Sequence, residues 1–198
     1  MKKLSILALT LTLLLLCSWA AYASPTDSGI SLNLTSRSTD FQVGNNTKSD
    51  TATEYALTYG SWLGTTYKLK YGDVDSNQYK FYSLEGNYYK GVGNGVSLIL
   101  GMRNYGLEDK VADVSKSKLT IQGGAQFKQD FAKNTFGYAS VLLGQNLSDY
   151  ELGLGYKLTQ NLTFDVNYRD LSVDNINLSN GEKDVESKGW GFGLTLKF

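Results

Sequence analysis

Histidine is absent from this 198-residue chain, which removes every catalytic set that uses an imidazole to carry a proton near neutral pH. A serine–lysine arrangement is still available at Ser115-Lys116-Ser117-Lys118, which has Ser-x-x-Lys spacing. Its polar surroundings suit a loop or a strand mouth, not the start of a buried helix. Asp73-Val74-Asp75-Ser76-Asn77 opens like a calcium loop, but Gln78 stands where glycine is needed and Leu84 where a chelating glutamate is needed. Gly91-Val92-Gly93-Asn94-Gly95 precedes no helix, so it reads as a tight turn rather than a phosphate cradle. No catalytic, metal or cofactor set is assigned, and the chain is read as non-enzymatic.

The informative charges lie elsewhere. Glu54, Lys68, Lys70, Glu85, Arg103, Glu151, Asp165 and Arg169 each fall inside a segment of strict apolar–polar alternation. On one enclosed face these acids and bases would form a charge network. Glu151 and Asp165 are expected to face each other, with Arg103, Lys157 and Arg169 as ion-pair partners.

The elements that must position them follow from the alternation, whose period of two marks β-strands. Apolar residues recur at every second place from Ile30 to Leu34, Tyr55 to Tyr59, Tyr67 to Tyr71, Tyr82 to Tyr88, Val96 to Met102 and Leu119 to Phe127. The pattern resumes from Tyr150 to Leu158, Leu162 to Tyr168 and Trp190 to Phe198. Around Phe136 to Leu143 both faces are apolar or small and the phase is ambiguous. Ten strands result. Links on one side are short (Gly60 to Gly64, Lys90 to Gly95, Gln129 to Asn134, Thr159 to Asn161). On the other side, Ser38 to Thr51, Gly72 to Gln78, Gly106 to Ser117 and Ser172 to Ser187 read as longer polar loops, with Asn146 to Asp149 the short exception. That asymmetry is typical of barrels that cross a membrane, and an even strand count puts both termini on the short-turn side.

Alternation alone does not separate a lipid-facing barrel from a water-soluble one. The placing of the aromatics does. Tyr55, Tyr71, Tyr150, Tyr168 and Trp190 fall toward the loop end, and Trp62, Tyr88, Phe127, Phe136 and Phe198 toward the turn end, with aliphatics between. Two aromatic belts around an aliphatic band match the two headgroup levels of a bilayer. A closed sheet also leaves no unpaired backbone edge in lipid. The fold class is therefore all-β: a closed antiparallel up-and-down transmembrane barrel of about ten strands, with eight as the alternative. Gly153, Gly155, Gly189, Gly191 and Gly193 point inward, either leaving a gap or making room for bulky side chains opposite. A serine at 153 should be mild and an arginine at 154 costly.

Composition agrees. One proline, 21 glycines and 14 tyrosines suit strands and turns, and a mean hydropathy of −0.26 is too low for a helical membrane protein. Lys2 and Lys3, the apolar run from Leu4 to Cys17 and Ala21-Tyr22-Ala23 have the three-part layout of a cleavable secretory signal. Residues 1–23 are thus expected to be removed, leaving 24–198 as one barrel domain without cysteine. The 19 bases and 19 acids balance, and nothing suggests a nucleic-acid partner.

The last segment, Gly189-Trp190-Gly191-Phe192-Gly193-Leu194-Thr195-Leu196-Lys197-Phe198, resembles the C-terminal strand of bacterial outer-membrane barrels. Residues Leu152 to Arg169 resemble the penultimate hairpin of small opacity- and adhesin-type barrel domains. The resemblance implies residence in the outer membrane of a Gram-negative-type bacterium, with outer-membrane lipid around the barrel. It also implies delivery to the barrel-assembly machinery through the C-terminal strand, with Phe198 as the assembly signal. The expected role is a non-enzymatic scaffold whose surface loops serve contact, shielding or adhesion toward a surface ligand the sequence does not identify. A narrow, porin-like channel for ions or small solutes is the alternative.

Overall fold

The computed structural model of the protein describes residues 29–61, 64–178 and 181–198; the expected signal segment and Trp62 lie outside them. The described residues form ten strands: β1 (Gly29–Val43), β2 (Asn46–Ser61), β3 (Thr65–Asp75), β4 (Tyr79–Gly93), β5 (Val96–Asp109), β6 (Val114–Ala132), β7 (Thr135–Gly144), β8 (Leu147–Lys157), β9 (Leu162–Leu178) and β10 (Gly181–Lys197). Each pairs antiparallel with its sequence neighbour, and β1 pairs with β10 from Ser31↔Lys197 to Val43↔Val185, closing the barrel. The count is ten, not eight.

The period of two carries through almost every strand. In β1, Thr35, Arg37 and Thr39 are buried while Ile30, Leu32 and Leu34 are each 48% exposed. In a soluble protein that would be inverted; here the aliphatics form the outer wall and the polar side chains fill the inside. Leu100, Met102, Leu152, Leu154, Phe192 and Leu194 continue the outer band. Aromatic pairs hold its rims: Tyr168 and Trp190 meet edge to face at 5.4 Å near one end, and Tyr67 and Tyr88 lie 5.4 Å apart near the other. Such cross-strand pairs add roughly 0.2–1 kcal/mol each to the sheet.

The segments read as long polar loops are strand. The β1–β2 hairpin pairs as far as Val43↔Asn46, β5–β6 as far as Asp109↔Val114 and β9–β10 as far as Leu178↔Gly181. Turns at both ends are therefore short, and the asymmetry lies in strand length. The physical reason is a change of pattern that keeps the same phase in most strands; in β9 a bulge around Asn175 steps the inward face from Val173 to Ile176. Beyond the lipid band, inward positions become apolar and outward ones polar. Phe41, Val43, Val74, Phe81, Tyr105, Leu107, Leu171, Val173, Ile176, Leu178 and Val185 come together inside the barrel as one buried cluster. Tyr105, Leu107, Val173 and Val185 have no measurable exposure. This end of the barrel is built like a small soluble protein, and burial of each large side chain contributes about 1.5–3 kcal/mol.

At the opposite end the turns are tight. Asn94 and Gly95 both have positive φ (55° and 75°), the backbone of a two-residue hairpin turn whose twist matches the strands. A Cβ at Gly95 would also collide with the Lys128 carbonyl.

Candidate functional site

The inside of the barrel has three layers, each dictated by the inward positions of successive strands. The apolar cluster closes the long-hairpin end. Below it, two or four residues down each contributing strand, lies a layer of ion pairs. Glu54 from β2 accepts from Arg37 at 3.0 Å and from Arg169 at 2.6 Å, and Lys70 lies 3.7 Å from it. Lys70 from β3 also reaches Glu85 of β4 at 3.2 Å. Glu85 pairs with Arg103 of β5, and Arg103 donates to Asp149 of β8 at 2.6 Å. Asp149 takes a two-pronged contact from Arg169 of β9, Nε at 2.8 Å and Nη2 at 2.5 Å. Arg169 returns to Glu54, so Glu54, Lys70, Glu85, Arg103, Asp149 and Arg169 form a closed ring of ion pairs across the lumen.

Every member of the ring is buried, and Arg103 is wholly so. Charges out of water cost several kcal/mol each unless paired and hydrogen-bonded, which is why they occur as a ring and not singly. Polar neighbours complete the layer: Asn167 accepts from Arg37 at 2.6 Å, and Gln122 donates to Asn87 at 2.7 Å and to Glu85 at 3.3 Å.

Of the eight charges singled out from sequence, Glu54, Lys70, Glu85, Arg103 and Arg169 are in this layer. Lys68, Glu151 and Asp165 line the lumen below it. Glu151 and Asp165 do not pair with Arg103, Lys157 or Arg169. Tyr138 instead donates to both, at 3.0 Å and 3.4 Å, and Asn167 Nδ2 donates to Asp165 at 2.7 Å. Lys157 lies 3.8 Å from Asp130 near the turn end. The arginines are drawn away because Asp149 and Glu54 sit at their own level. Arg37 and Asp149 were missed from sequence, Arg37 being next to a segment taken for a loop and Asp149 at the end of one. Their phase could have found them: Arg37 is two residues from inward Thr35, and Asp149 two from inward Glu151.

The ambiguous strand β7 also resolves. Phe136 and Tyr138 point inward, and Phe136 is buried rather than part of the lipid belt. Their rings lie over Gly155 and Gly153, where a Cβ would strike them. Those glycines therefore make room for bulk. Gly191 does the same beside Asn167 and Arg37, and Gly193 beside Asp165. A Cβ at Gly153 meets the Tyr138 ring, so Gly153→Ser is expected to displace that side chain.

Below the ring the lumen is hollow. A recess of about 210 Å³ lies against Glu54, Lys70, Tyr138 and Asp149, and continues into a vestibule of about 630 Å³ that opens among the short turns at Gly60, Gly64, Gly93 and Gly95. Elsewhere, Lys110 is paired with Asp75 of the calcium-like sequence, and Ser115 and Lys116 lie exposed on β6. Among the described residues no group of histidine, cysteine, aspartate and glutamate side chains has the arrangement of a metal site.

Comparison with known proteins agrees with this architecture. Neisserial surface protein A (NspA) superposes with a TM-score of 0.50 at 14% identity, over 86% of this chain and 98% of that one. Ail, the attachment invasion locus protein of Yersinia pestis, gives 0.41 at 14% identity, over 87% of this chain and all of that one. At this identity the likeness to NspA shows the fold alone. No curated protein matches the chain significantly. A family model, the outer membrane protein beta-barrel domain, matches residues 9–198. The match spans every described strand, so the chain belongs to the outer membrane protein β-barrel domain family, and its outer aliphatic band faces that membrane.

Proposed function

We propose that the protein is a non-enzymatic surface scaffold, in which the barrel anchors and the extended hairpins make contact outside the cell. The observation that carries this reading is the double closure of the lumen at the long-hairpin end. A solute entering from the turns meets first the buried ion-pair ring and then the apolar cluster. Eight-stranded barrels are filled by their own side chains, whereas open aqueous channels use 16 or so strands. Ten strands with a filled upper half belong with the former, and this counts against the channel alternative.

The same closure explains the hairpins. Their own core keeps them rigid beyond the membrane, and they present Thr47, Lys48, Lys110, Val111, Asp113, Ser115 and Lys116 on the outside. Delivery by a cleaved signal ending at residue 23, with both termini in the periplasm and Phe198 read by the assembly machinery, is part of the proposal. Phe198 lies 67% exposed on the lipid face, its N–H donating to Ile30 at 2.9 Å.

The test is a hairpin exchange. Residues 46–49 and 110–113 are replaced by glycine–serine sequence in cells that display the protein, and adherence to one another and to epithelial monolayers is compared. Loss of adherence at equal barrel yield supports the reading. Adherence unchanged from wild type, and wild type no better than cells lacking the protein, would overturn it.

A further inference from the structure

Two strands outrun a neighbour at the long-hairpin end and leave an open edge there. β2 pairs with β1 as far as Asn46, but its pairing with β3 stops at Ala52↔Val74. The segment Asn46-Thr47-Lys48-Ser49-Asp50-Thr51 thus has no strand on that side among the described residues. β6 likewise pairs with β5 from Val114, whereas its pairing with β7 reaches only Gln122. Open edges invite another strand, and charged side chains are a common protection against it. The two edges are charged differently. Across a two-fold axis a strand meets its own copy antiparallel, with one residue opposite itself. On β6 an axis at Ser117 sets Lys116 against Lys118, and a shift of one residue either way sets a lysine against its own copy. Like charges directly opposite are destabilising, so the middle of this edge repels itself. On β2 an axis at Ser49 sets Lys48 against Asp50 on both sides of the centre, and Thr47 against Thr51. Axes at Lys48 or Asp50 would oppose like charges. The β2 edge is therefore self-complementary, in the register centred on Ser49.

We infer that the β2 edge from Asn46 to Thr51 is a contact for a second copy of this chain, joined as an intermolecular antiparallel sheet with two Lys48–Asp50 pairs across the two-fold axis. Lys48 lies opposite Phe41 and Asp50 opposite Thr39 in the β1–β2 register, so both charges share the inward face and both pairs fall on one side of the joined sheet. Asp50 Oδ1 accepts from the Thr51 N–H at 2.8 Å, which leaves Oδ2 for the lysine of the second copy. The space beside the edge is open: a notch of about 270 Å³ separates Asn46, Thr47 and Lys48 from the β3–β4 turn at Asn77 and Gln78. Direction decides where the second copy stands. β2 runs from the long-hairpin end toward the short turns, and two barrels in one membrane run it the same way. Antiparallel pairing therefore joins barrels of two facing membranes, tip to tip. The pairing is short, so its strength between two cell surfaces comes from many such contacts acting together. The inference rests on the reading of the hairpins as surface contacts and names what one of them holds.

The experiment uses the whole barrel refolded into phosphatidylcholine nanodiscs, one barrel to a disc, with folding checked by heat-modifiable migration. Association of discs is read by sedimentation velocity at rising protein concentration. Wild-type discs should dimerise, and the dimer should weaken as salt is added. Lys48→Glu discs and Asp50→Lys discs should each stay single, because each variant sets like charges in opposition. Mixed together they should dimerise, since each then meets the opposite charge at both positions. Glu182→Lys, on the β9–β10 hairpin, should dimerise as wild type does. A covalent readout fixes the register. Residues directly opposite in an antiparallel pair have Cα atoms about 4.5–5.5 Å apart, within reach of a disulfide. Ser49→Cys should therefore give an oxidised dimer and Ser117→Cys should not; Cys17, the only native cysteine, falls in the segment expected to be removed. Single wild-type discs, dimers of either charge variant alone, a mixture that stays single, or equal cross-linking at Ser117 would each overturn the contact. Cells that adhere to epithelial monolayers while wild-type discs stay single would remove this contact and leave the surface reading standing.

Discussion

Asp149 is the member of the ion-pair ring whose loss should be felt most. It is 4% exposed and receives three hydrogen bonds, at 2.6 Å from Arg103 and at 2.8 and 2.5 Å from Arg169. With Arg37 attached, the layer holds four bases against three acids: Arg37, Lys70, Arg103 and Arg169 facing Glu54, Glu85 and Asp149. Asp149→Asn keeps one acceptor oxygen but removes a third of the negative charge. Removing one partner of a buried pair typically costs about 3–5 kcal/mol, and the retained amide oxygen puts this variant near the lower figure. Arg103→Met also destabilises on its own, yet it leaves Glu85 with Lys70 at 3.2 Å and Gln122 at 3.3 Å. In the double variant no guanidinium is stranded on that side. Its cost should therefore fall short of the sum of the single costs by about 1–2 kcal/mol, within the range seen for contacting residues. Urea titrations of folding into lipid vesicles, read by heat-modifiable gel migration, measure all three, with Asp113→Asn at an exposed turn as the neutral control. Additivity within about 0.5 kcal/mol would refute the ring as a coupled unit.

Four further outcomes follow from the layering. Leu154→Arg, at a site 60% exposed in the outer band, should destabilise insertion by about 2–4 kcal/mol in the same titrations, and Gly153→Ser should also cost stability because its Cβ displaces Tyr138. Leu107→Ala should cost about 2–5 kcal/mol through the cavity it leaves in the cap, and protease sensitivity should rise in the hairpins before the lipid-embedded strands. Phe198→Asp should lower outer-membrane yield far more than Lys197→Gln does; equal yields, compared by fractionation, would remove Phe198 from assembly.

The membrane half of the fold was legible in sequence because lipid imposes a strict rule on every second residue. Leu98, Leu100 and Met102 leave little choice of face, and the same holds for Leu152, Leu154 and Tyr156. What misled the reading is equally physical. From Ser38 to Thr51 and from Ser172 to Ser187 the mean composition is polar, which suggests loop. Yet Phe41, Val43, Val173 and Val185 keep the inward phase while Asp40, Gln42 and Glu186 take the outward one. Water outside and a core inside invert the code, and only the bulge at Asn175 in β9 also shifts it. The β7 strand stayed ambiguous for a different reason: Phe136 enters the lumen only because Gly155 makes space for it on the neighbouring strand, and that pairing is a matter of register. The ion-pair partners depended on height in the barrel, which alternation does not report. Hence Arg169 was recognised as an inward charge while Asp149, its partner, was left in a turn.

The central claim is that the lumen is blocked from one side of the membrane to the other, and planar-bilayer recording tests it most directly. The refolded wild-type barrel should insert, as judged by heat-modifiable migration of the recovered protein, and give no stepwise conductance in molar potassium chloride. Reproducible, protein-dependent steps from the wild-type barrel at moderate voltage would contradict the double closure by the ion-pair ring and the apolar cap.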